Sequence, residues 1–389
     1  MTWAGKPLNV VIAGAGVAGL EAALALQKLA PDDVSVQLVA PETEFVYRPL
    51  AVAEPFRVAE LRRFPLQVLC DAAGARLRRG SVAAVDPEQK TLALTDGDEL
   101  AYDALLLALG AKPREAVEGA ITFSGPDTGE LAALLERVVD GDVSRVAFAV
   151  PSGSMWPLPL YELALLTAAY ASDHGSRGLE VSIVTPEERP LAIFGPAASD
   201  AVRELLGLRG IGLEPSTAPV RFADGRLEVL PSRAIPFDAV VALPRLEGPR
   251  LEGIPHDESG FVPTDGYGAV RGLTDVYAAG DLTQFPLKQG GSAAQQADAV
   301  ASAIAADAGA DVRPEPFTPV LRGLLLTGFV PRFLRAGPTG AQSVVDTEPL
   351  WWPPAKIVGA HLAPFLAAQL GLPEAPKARD GVEVEIALA

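Results

Sequence analysis

Cysteine and histidine are scarce in this 389-residue sequence, which contains one cysteine and three histidines. Because Cys70 has no partner in the chain, it forms neither an intramolecular disulfide nor a paired-cysteine redox centre. His174, His256 and His361 are scattered, in none of the spacings typical of a metal site or of a Ser–His–Asp arrangement. The sequence therefore predicts no metal site, and Cys70 is interpreted as a small buried hydrophobic residue.

Basic residues are fewer than acidic ones: 32 Lys and Arg stand against 49 Asp and Glu, a formal net charge of −17. Such a charge repels nucleic-acid phosphates, so we expect no nucleic-acid partner. No run of ~18 apolar residues is free of charge or proline, and residues 1–7 lack the pattern of a secretory signal. We expect a cytoplasmic protein without a spanning helix. Its 49% hydrophobic content suffices for two or three domains.

Glycine is abundant where an apolar strand meets a helix near the N-terminus. The run LNVVIA at 8–13 is followed by GAGVAG, a helix rich in alanine and leucine, and a second apolar run at 34–40. In this context Gly14 permits a tight turn, Gly16 lets a pyrophosphate approach the backbone, and Gly19 lets the helix pack on the strand. The helix N-terminus offers amide donors to the phosphates. The pattern predicts a dinucleotide-binding unit; the alternative is an ordinary tight turn.

The second strand lacks the carboxylate that usually ends it and holds the adenosine ribose. Ala40 occupies that position, and Glu42 follows two residues later, after Pro41. Either Glu42 replaces the usual carboxylate, or Pro41 changes the local geometry and keeps Glu42 away from the ribose.

The rest of the chain divides by pattern into further parts. Period-two alternation around the turns PEQ and TDGD predicts antiparallel hairpin strands within residues 75–111. A second strand–helix–strand order follows, and then a buried strand with a long alanine-rich helix. The last part is aromatic, proline-rich and locally basic. We predict an α/β fold with two Rossmann-like, three-layer units carrying hairpin insertions: residues 1–112 and 251–312 form the first domain, 113–250 the second, and 313–389 a C-terminal interface or capping segment.

Three separated segments resemble the flavoproteins with paired dinucleotide-binding domains. They are VVIAGAGVAGLEAALAL at 10–26, YDALLLALGAKPR at 102–114 and TDVYAAGDLTQFPLKQGGSAAQQADAVA at 274–301, in the order found in that family. The sequence most resembles the sulfide:quinone oxidoreductases, flavocytochrome c sulfide dehydrogenases and type II NADH dehydrogenases, but it lacks the redox cysteines of the sulfide-oxidising members. The resemblance implies a pyridine-nucleotide-disulfide-oxidoreductase-like, FAD-dependent oxidoreductase with the flavin as its reactive centre.

The resemblance also assigns roles to residues around the flavin. Asp281 would accept hydrogen bonds from the ribityl hydroxyls, and its alternative role is a turn or helix cap. The helix opened by Gly290 would direct its N-terminus at the pyrimidine carbonyls. Lys288 either stabilises the anionic reduced flavin or is a solvated loop lysine. Tyr47 and Arg48 either lie along the flavin or belong to a packed loop. The predicted cofactor-binding residues are Gly14, Gly16, Val17, Ala18, Gly19, Glu42, Arg48, Ala108, Gly110, Gly280, Asp281, Lys288, Gln289 and Gly290.

The second strand–helix–strand pattern lacks the glycine motif that a nicotinamide site needs. Its turn lies within AVPSGSMWPLPLYE, which keeps only Gly153 and contains Pro151, Trp156, Pro157 and Pro159. Proline removes amide donors, and tryptophan blocks the close approach of a pyrophosphate. The sequence therefore predicts a degenerate second site with weak or absent NADH or NADPH binding.

Glu162 ends this segment, in a stretch similar to one that faces the flavin in sulfide-oxidising relatives. We predict Glu162 and Lys288 as catalytic candidates. The alternative for Glu162 is a cap or a salt bridge of the helix that it begins.

Three functions remain open on the sequence alone. The first is an FAD oxidoreductase that passes electrons from an unidentified donor to a quinone or other small-molecule acceptor without a redox disulfide. The second is an NAD(P)H-dependent flavin reductase or dehydrogenase with a noncanonical nicotinamide site. The third is a flavin-binding interaction subunit with reduced catalysis. The C-terminal segment, with Trp351 and Trp352 and a local excess of basic residues, fits either a homodimer interface or a peripheral contact with anionic lipid on the inner face of the membrane.

Overall fold

The computed structural model describes residues 6–154, 156–176, 178–337 and 342–373. Its helices are α1 Val17–Leu29, α2 Leu66–Ala72, α3 Gly129–Asp140, α4 Leu158–Asp173, α5 Pro196–Leu208, α6 Gly290–Asp307 and α7 Leu362–Gln369. Its strands are β1 Leu8–Ala13, β2 Val34–Ala40, β3 Glu44–Val46, β4 Arg63–Pro65, β5 Arg76–Arg79, β6 Val82–Asp86, β7 Thr91–Leu94, β8 Glu99–Ala101, β9 Ala104–Leu107, β10 Lys112–Arg114, β11 Ile121–Thr122, β12 Arg145–Ala149, β13 Glu180–Val184, β14 Gly212–Glu214, β15 Ala218–Ala223, β16 Arg226–Leu230, β17 Arg233–Pro236, β18 Ala239–Ala242, β19 Arg245–Glu247, β20 Val276–Ala278, β21 Leu321–Leu325, β22 Arg332–Ala336 and β23 Val344–Asp346.

The first sheet is parallel throughout, with the strand order β20-β9-β1-β2-β5. Val10 and Ile12 of β1 pack in the core formed with α1 and α6, while Val11 and Ala13 pack in a second core with β6 and β7. Burial on both faces explains why β1 is an apolar run rather than an alternating one. The edge strand β20 is supplied by the chain after it has completed the second sheet.

The second sheet is also parallel, with the order β11-β18-β12-β13-β14. Val146 and Phe148 of β12 share a core with α3, α4 and α5, and Ala147 and Ala149 share one with β16 of the antiparallel sheet β15-β16-β17. Each parallel sheet thus lies between helices and a small antiparallel sheet. This arrangement confirms the predicted α/β class with two Rossmann-like units. The boundaries at residues 112, 250 and 312 stay predictions.

The hairpin prediction for residues 75–111 holds for three strands and is wrong for a fourth. Strands β6, β7 and β8 form an antiparallel meander whose turns contain PEQ and TDGD. Strand β5, however, pairs parallel with β2 at the edge of the first sheet. Its exposed residues Arg76 and Arg79 belong to a charged sheet edge, which has the same alternating pattern as a hairpin strand.

The C-terminal segment forms a small antiparallel sheet, β21-β22-β23, followed by a loop and α7. Leu325 and Leu334 of this sheet are fully buried in the core of the second unit. Leu362 and Leu366 of α7 are buried in the core of the first unit. The segment therefore packs against both units. No helix in the described ranges is long and apolar enough to cross a membrane.

Candidate functional site

The turn between β1 and α1 is built by close backbone contacts. Gly14 has φ +111°, a conformation that glycine adopts without strain, and a β-carbon there would overlap the carbonyl oxygen of Ala108 in the segment after β9. A β-carbon at Gly19 would overlap the Gly14 carbonyl oxygen. These two glycines let the helix and the neighbouring chain approach the turn.

Unlike Gly14 and Gly19, Gly16 faces open space. A β-carbon added there would have no protein atom within 4 Å. Gly16 is the N-cap of α1, no side chain caps this described helix, and its first turn carries no acidic residue. The first backbone N–H groups of an uncapped helix lack intrahelical partners and bind anions. The space in front of Val17 and Ala18 therefore fits the pyrophosphate of FAD.

Asp281 lies just beyond the carboxyl end of β20 and is partly buried. Burial raises the pKa of its carboxyl, and the charges of Lys288 and Arg48 oppose this rise. No hydrogen-bond donor from the described residues reaches this carboxylate. The hydroxyls of a ribityl chain would supply donors to this partly buried carboxylate. The neighbouring Gly280 donates its N–H to Gln296 Oε1 at 2.7 Å.

Helix α6 begins at Gly290, as the sequence predicts, but its first turn is partly satisfied within the protein. The Gln289 side chain accepts from the Gly291 N–H at 2.7 Å and donates to Ser292 Oγ at 3.0 Å. A β-carbon at Gly290 would lie 2.8 Å from the side chain of Ile357. The loop before α7 therefore touches the N-terminus of α6, which sequence reasoning did not foresee.

Lys288 is not a solvated loop lysine. Its ammonium donates to the Thr283 carbonyl oxygen and lies 3.8 Å from the centre of the Phe261 ring. Burial lowers the pKa of Lys288 to about 8, although the charges of Asp281 and Asp257 act in the opposite direction. An amine with this pKa exchanges its proton near neutral pH.

Lys288 lines a cavity of about 440 Å³ between the second unit's turn and the segment after β20. This volume lies in the range of small-molecule sites. The cavity, called the 440 Å³ cavity below, is lined by Pro151, Ser152, Gly153, Ser154, Trp156, Leu243, Pro244, Arg245, Leu246, Ser259, Phe261, Gln284, Pro286 and Lys288.

The turn between β12 and α4 differs from the first turn in length and in surroundings. It runs from residue 150 to residue 157, whereas residues 14–16 suffice between β1 and α1. Leu158, Leu160 and Tyr161 at the start of α4 are 3%, 0% and 0% exposed. The side chains that begin α4 are therefore packed in the protein interior, whereas several residues of the preceding turn line the 440 Å³ cavity.

The carboxylate that follows β13 is also engaged inside the protein. Glu187 accepts from the Tyr161 hydroxyl at 2.7 Å and from Thr185 Oγ1 at 3.0 Å. An acidic residue near the end of the second strand of such a unit holds the ribose of a dinucleotide when it is free to do so. Here the Glu187 carboxylate already accepts a hydrogen bond from Tyr161 of α4.

Glu162, predicted as catalytic, is completely buried and ion-paired with Lys356 of the C-terminal segment. Lys356 Nζ lies 2.5 and 2.6 Å from the two carboxylate oxygens, and the Leu326 N–H donates to Oε1 at 2.9 Å. Burial raises the pKa of Glu162, opposed by the Lys356 charge. The geometry corresponds to the salt-bridge alternative, with a partner 194 residues away rather than on its own helix. A catalytic role of Glu162 stays a prediction.

The remaining candidates lie around the carboxyl end of the first sheet. Glu42 and Arg48 are exposed beyond β2, and Ala108 and Gly110 follow β9. Tyr47 is buried, and its hydroxyl accepts from the Ile357 N–H at 2.9 Å. Tyr47 therefore anchors the C-terminal segment. Contacts of all these residues with FAD remain predictions.

Cys70 is 1% exposed on α2, and burial raises the pKa of its thiol to about 11. The thiolate, which is the reactive form, is therefore disfavoured. This agrees with its interpretation as a small hydrophobic residue.

Comparison with known proteins gives one family and several relatives. The family described as pyridine nucleotide-disulphide oxidoreductase matches residues 8–142 and 163–302. Mouse apoptosis-inducing factor 3 is 26% identical over 305 residues, 72% of this chain and 46% of that protein, so the chain spans about half of that relative's length. The rubredoxin-NAD(+) reductase of Pseudomonas putida is 26% identical, over 82% of this chain and 86% of that protein. The sulfide:quinone oxidoreductase structure from Aquifex aeolicus superposes with a TM-score of 0.78 at 20% identity, over 87% of this chain and 86% of that one.

Proposed function

The chain belongs to the pyridine nucleotide-disulphide oxidoreductase family, and we propose that it is an FAD-dependent oxidoreductase whose electron donor is not a nicotinamide nucleotide. In this proposal the donor is a small molecule that reaches the flavin through the 440 Å³ cavity. Electrons then pass to a quinone or another acceptor without a redox-active disulfide.

One observation carries this proposal: the turn before α4 borders the 440 Å³ cavity but lacks the backbone donors and the free carboxylate of a dinucleotide site. Pro157 and Pro159 offer no amide donors there, and Glu187 already accepts from the Tyr161 hydroxyl. Trp156 packs against Phe194, with the ring centres 5.6 Å apart. A pyrophosphate would therefore meet few amide donors at this turn, and a ribose would compete with Tyr161 for the Glu187 carboxylate.

The residues around the flavin have separable roles in this proposal. When bound, FAD supplies the ring system that accepts and donates electrons. The open N-terminus of α1 would hold the pyrophosphate, and Asp281 would accept from the ribityl hydroxyls. Lys288 Nζ would hold or release a proton beside the cavity. The ion pair of Glu162 with Lys356 positions the C-terminal segment and does not itself reach the cavity lining.

A nicotinamide-dependent reductase is the second candidate, because several relatives, such as the rubredoxin-NAD(+) reductase, carry NAD(+) in their names. Such an activity would need a dinucleotide to bind outside the usual turn. A flavin-binding interaction subunit is the third candidate. For either of the two enzyme candidates, we also propose that residues 313–373 form a homodimer contact or a peripheral membrane contact.

Anaerobic titration of the FAD-loaded protein tests these alternatives. NADH, NADPH and sulfide are added in turn while the flavin absorbance is followed, and dithionite serves as the control that the flavin is reducible. We expect neither nicotinamide to bleach the flavin. Bleaching by NADH or NADPH, or a low-micromolar dissociation constant for either, refutes the proposal in favour of the second candidate. Bound FAD that is reduced by dithionite but by no physiological donor supports the third.

A further inference from the structure

The described lining of the 440 Å³ cavity contains both basic residues and aromatic rings. Lys288 and Arg245 are the charged residues among these described lining residues, which include no aspartate or glutamate. This is notable in a chain with a formal net charge of −17. Ser152, Ser154 and Ser259 add hydroxyl groups to the lining. With the Gln284 amide, the polar part of the lining therefore consists of two cations and of neutral groups that can donate hydrogen bonds to an anion.

The two cations differ in how free they are to bind a ligand. Arg245 is exposed and paired with Glu247 at 2.9 Å. Lys288 is partly buried, and among the described residues its recorded contacts are the Thr283 carbonyl oxygen and the Phe261 ring. The charges of Asp281 and Asp257 act on Lys288, but neither carboxylate lines the cavity. Lys288 is therefore a largely desolvated cation whose remaining donor capacity faces the cavity.

The apolar part of the lining consists largely of aromatic and proline rings. Trp156 and Phe261 supply aromatic surface, and Pro151, Pro244 and Pro286 supply rings that do not rearrange. A site with aromatic walls and few polar groups binds planar, largely apolar molecules and orients them through those polar groups. A volume of about 440 Å³ accommodates two fused six-membered rings with a substituent.

We propose that the 440 Å³ cavity binds a small planar organic anion, such as an aromatic carboxylate, with its charge at Lys288 and its ring against Trp156 and Phe261. The inference rests on the proposed function and deepens it, because it names the chemical class of the molecule that takes the place of the nicotinamide. It concerns binding alone and assigns no bond-breaking step.

The pH dependence of binding follows from Lys288. Its pKa is lowered to about 8 by burial, so the ammonium that attracts the anion predominates near pH 7 and is mostly lost near pH 9. Affinity for an anion is therefore expected to fall as the pH rises through this range. Lys288→Arg keeps the positive charge at both pH values and is expected to remove the fall.

Isothermal titration calorimetry of the FAD-loaded protein tests the proposal with three probes. 2-Naphthoate carries the ring and the charge, 2-naphthamide carries the ring without the charge, and acetate carries the charge without the ring. Near pH 7 we expect 2-naphthoate to bind at least about tenfold more tightly than either other probe, the range of one charge-assisted hydrogen bond. Lys288→Met should abolish the preference for naphthoate over naphthamide, and Lys28→Met, an exposed lysine on α1, should leave it unchanged.

Each possible result of this titration either supports or refutes the proposed binding of a planar anion. Naphthamide binding as tightly as naphthoate refutes the role of charge, and acetate binding as tightly refutes the role of the ring. No naphthoate binding to the FAD-loaded wild-type protein also refutes the proposal. If Lys288→Met does not retain FAD, the comparison of wild type with Lys288→Arg across the pH range replaces it. Tight NADH binding in the same calorimeter overturns the proposed function, whereas weak NADH binding without naphthoate binding overturns this inference alone.

Discussion

Replacing Gly16 with valine is expected to separate flavin binding from folding. The backbone of Gly16 has φ −81°, which any residue adopts, and no protein atom lies within 4 Å of the added β-carbon. The unfavourable effect on stability is therefore limited to that of a poor N-cap, ~1 kcal/mol or less. The valine side chain would occupy the space in front of the α1 amides, which is where the pyrophosphate of FAD is proposed to lie.

The effect on FAD affinity is much larger than the effect on stability. A hydrogen bond to a charged group contributes roughly 1.5–3 kcal/mol, so losing two bonds to phosphate oxygens costs about 3–6 kcal/mol. This corresponds to a dissociation constant raised by roughly 10²- to 10⁴-fold. We expect Gly16→Val to be purified as a folded, colourless protein.

Three measurements check this prediction: the flavin-to-protein absorbance ratio, the FAD dissociation constant of the apoprotein and its thermal unfolding temperature. Gly207→Val, at an open and exposed site on α5, is the matched control and should keep both flavin and fold. Gly19→Val should fail to fold, because its side chain would overlap the Gly14 carbonyl oxygen. A Gly16→Val protein with a full complement of flavin would refute the placement of the phosphates.

Further substitutions test other parts of the site. Asp281→Ala should weaken FAD binding by roughly 1.5–3 kcal/mol and Asp281→Asn by less, as measured by flavin fluorescence titration; equal affinities would remove Asp281 from the site. Glu162→Gln leaves Lys356 buried without a counter-ion and should cost about 3–5 kcal/mol in denaturant unfolding, whereas Glu162→Gln combined with Lys356→Met should recover most of this loss. The pKa of Asp298 is raised to about 8 by burial beside Glu21, so wild-type stability should fall as the pH rises from the ordinary carboxyl range towards 8. Asp298→Asn should flatten that fall in unfolding curves recorded at several pH values.

Strands β1 and β2 and the start of α6 in the first Rossmann-like unit were predictable almost to the residue because their signals are local. The runs at 8–13 and 34–40 coincide with β1 and β2, and α6 begins within one residue of its predicted start. A continuous apolar run of this length next to a glycine turn is compatible with few secondary structures other than a buried strand. Strand β5 was mistaken for a hairpin strand because its partner, β2, is distant in sequence and its own residues are mostly charged.

The two ties between the C-terminal segment and the two units, at Glu162 and at Glu21, differ in whether the local sequence signals them. The sequence offers no indication that Glu162 pairs with Lys356, since 194 residues separate them. Glu21 did carry a signal, because it is a single acid within the apolar stretch VAGLEAALAL and is 0% exposed. Its carboxylate accepts from the N–H groups of His361 and Leu362, at 2.7 and 2.8 Å. A lone buried acid of this kind needs a partner, and here the partner is the start of α7.

These ties determine how a membrane contact can be tested. Removing residues 313–389 would take away the C-terminal partners of Glu21 and Glu162 and expose the cores of both units, so loss of lipid binding in such a truncation would report unfolding. Phe329 and Val330, 55% and 56% exposed between β21 and β22, offer a better probe because they are not part of these ties. If residues 313–373 contact anionic lipid, Phe329→Ser should abolish flotation with anionic vesicles while the flavin spectrum stays unchanged. If the wild-type protein does not float and elutes as a dimer, the same segment is better explained as a dimer interface, and Phe329→Ser should then shift the elution towards the monomer.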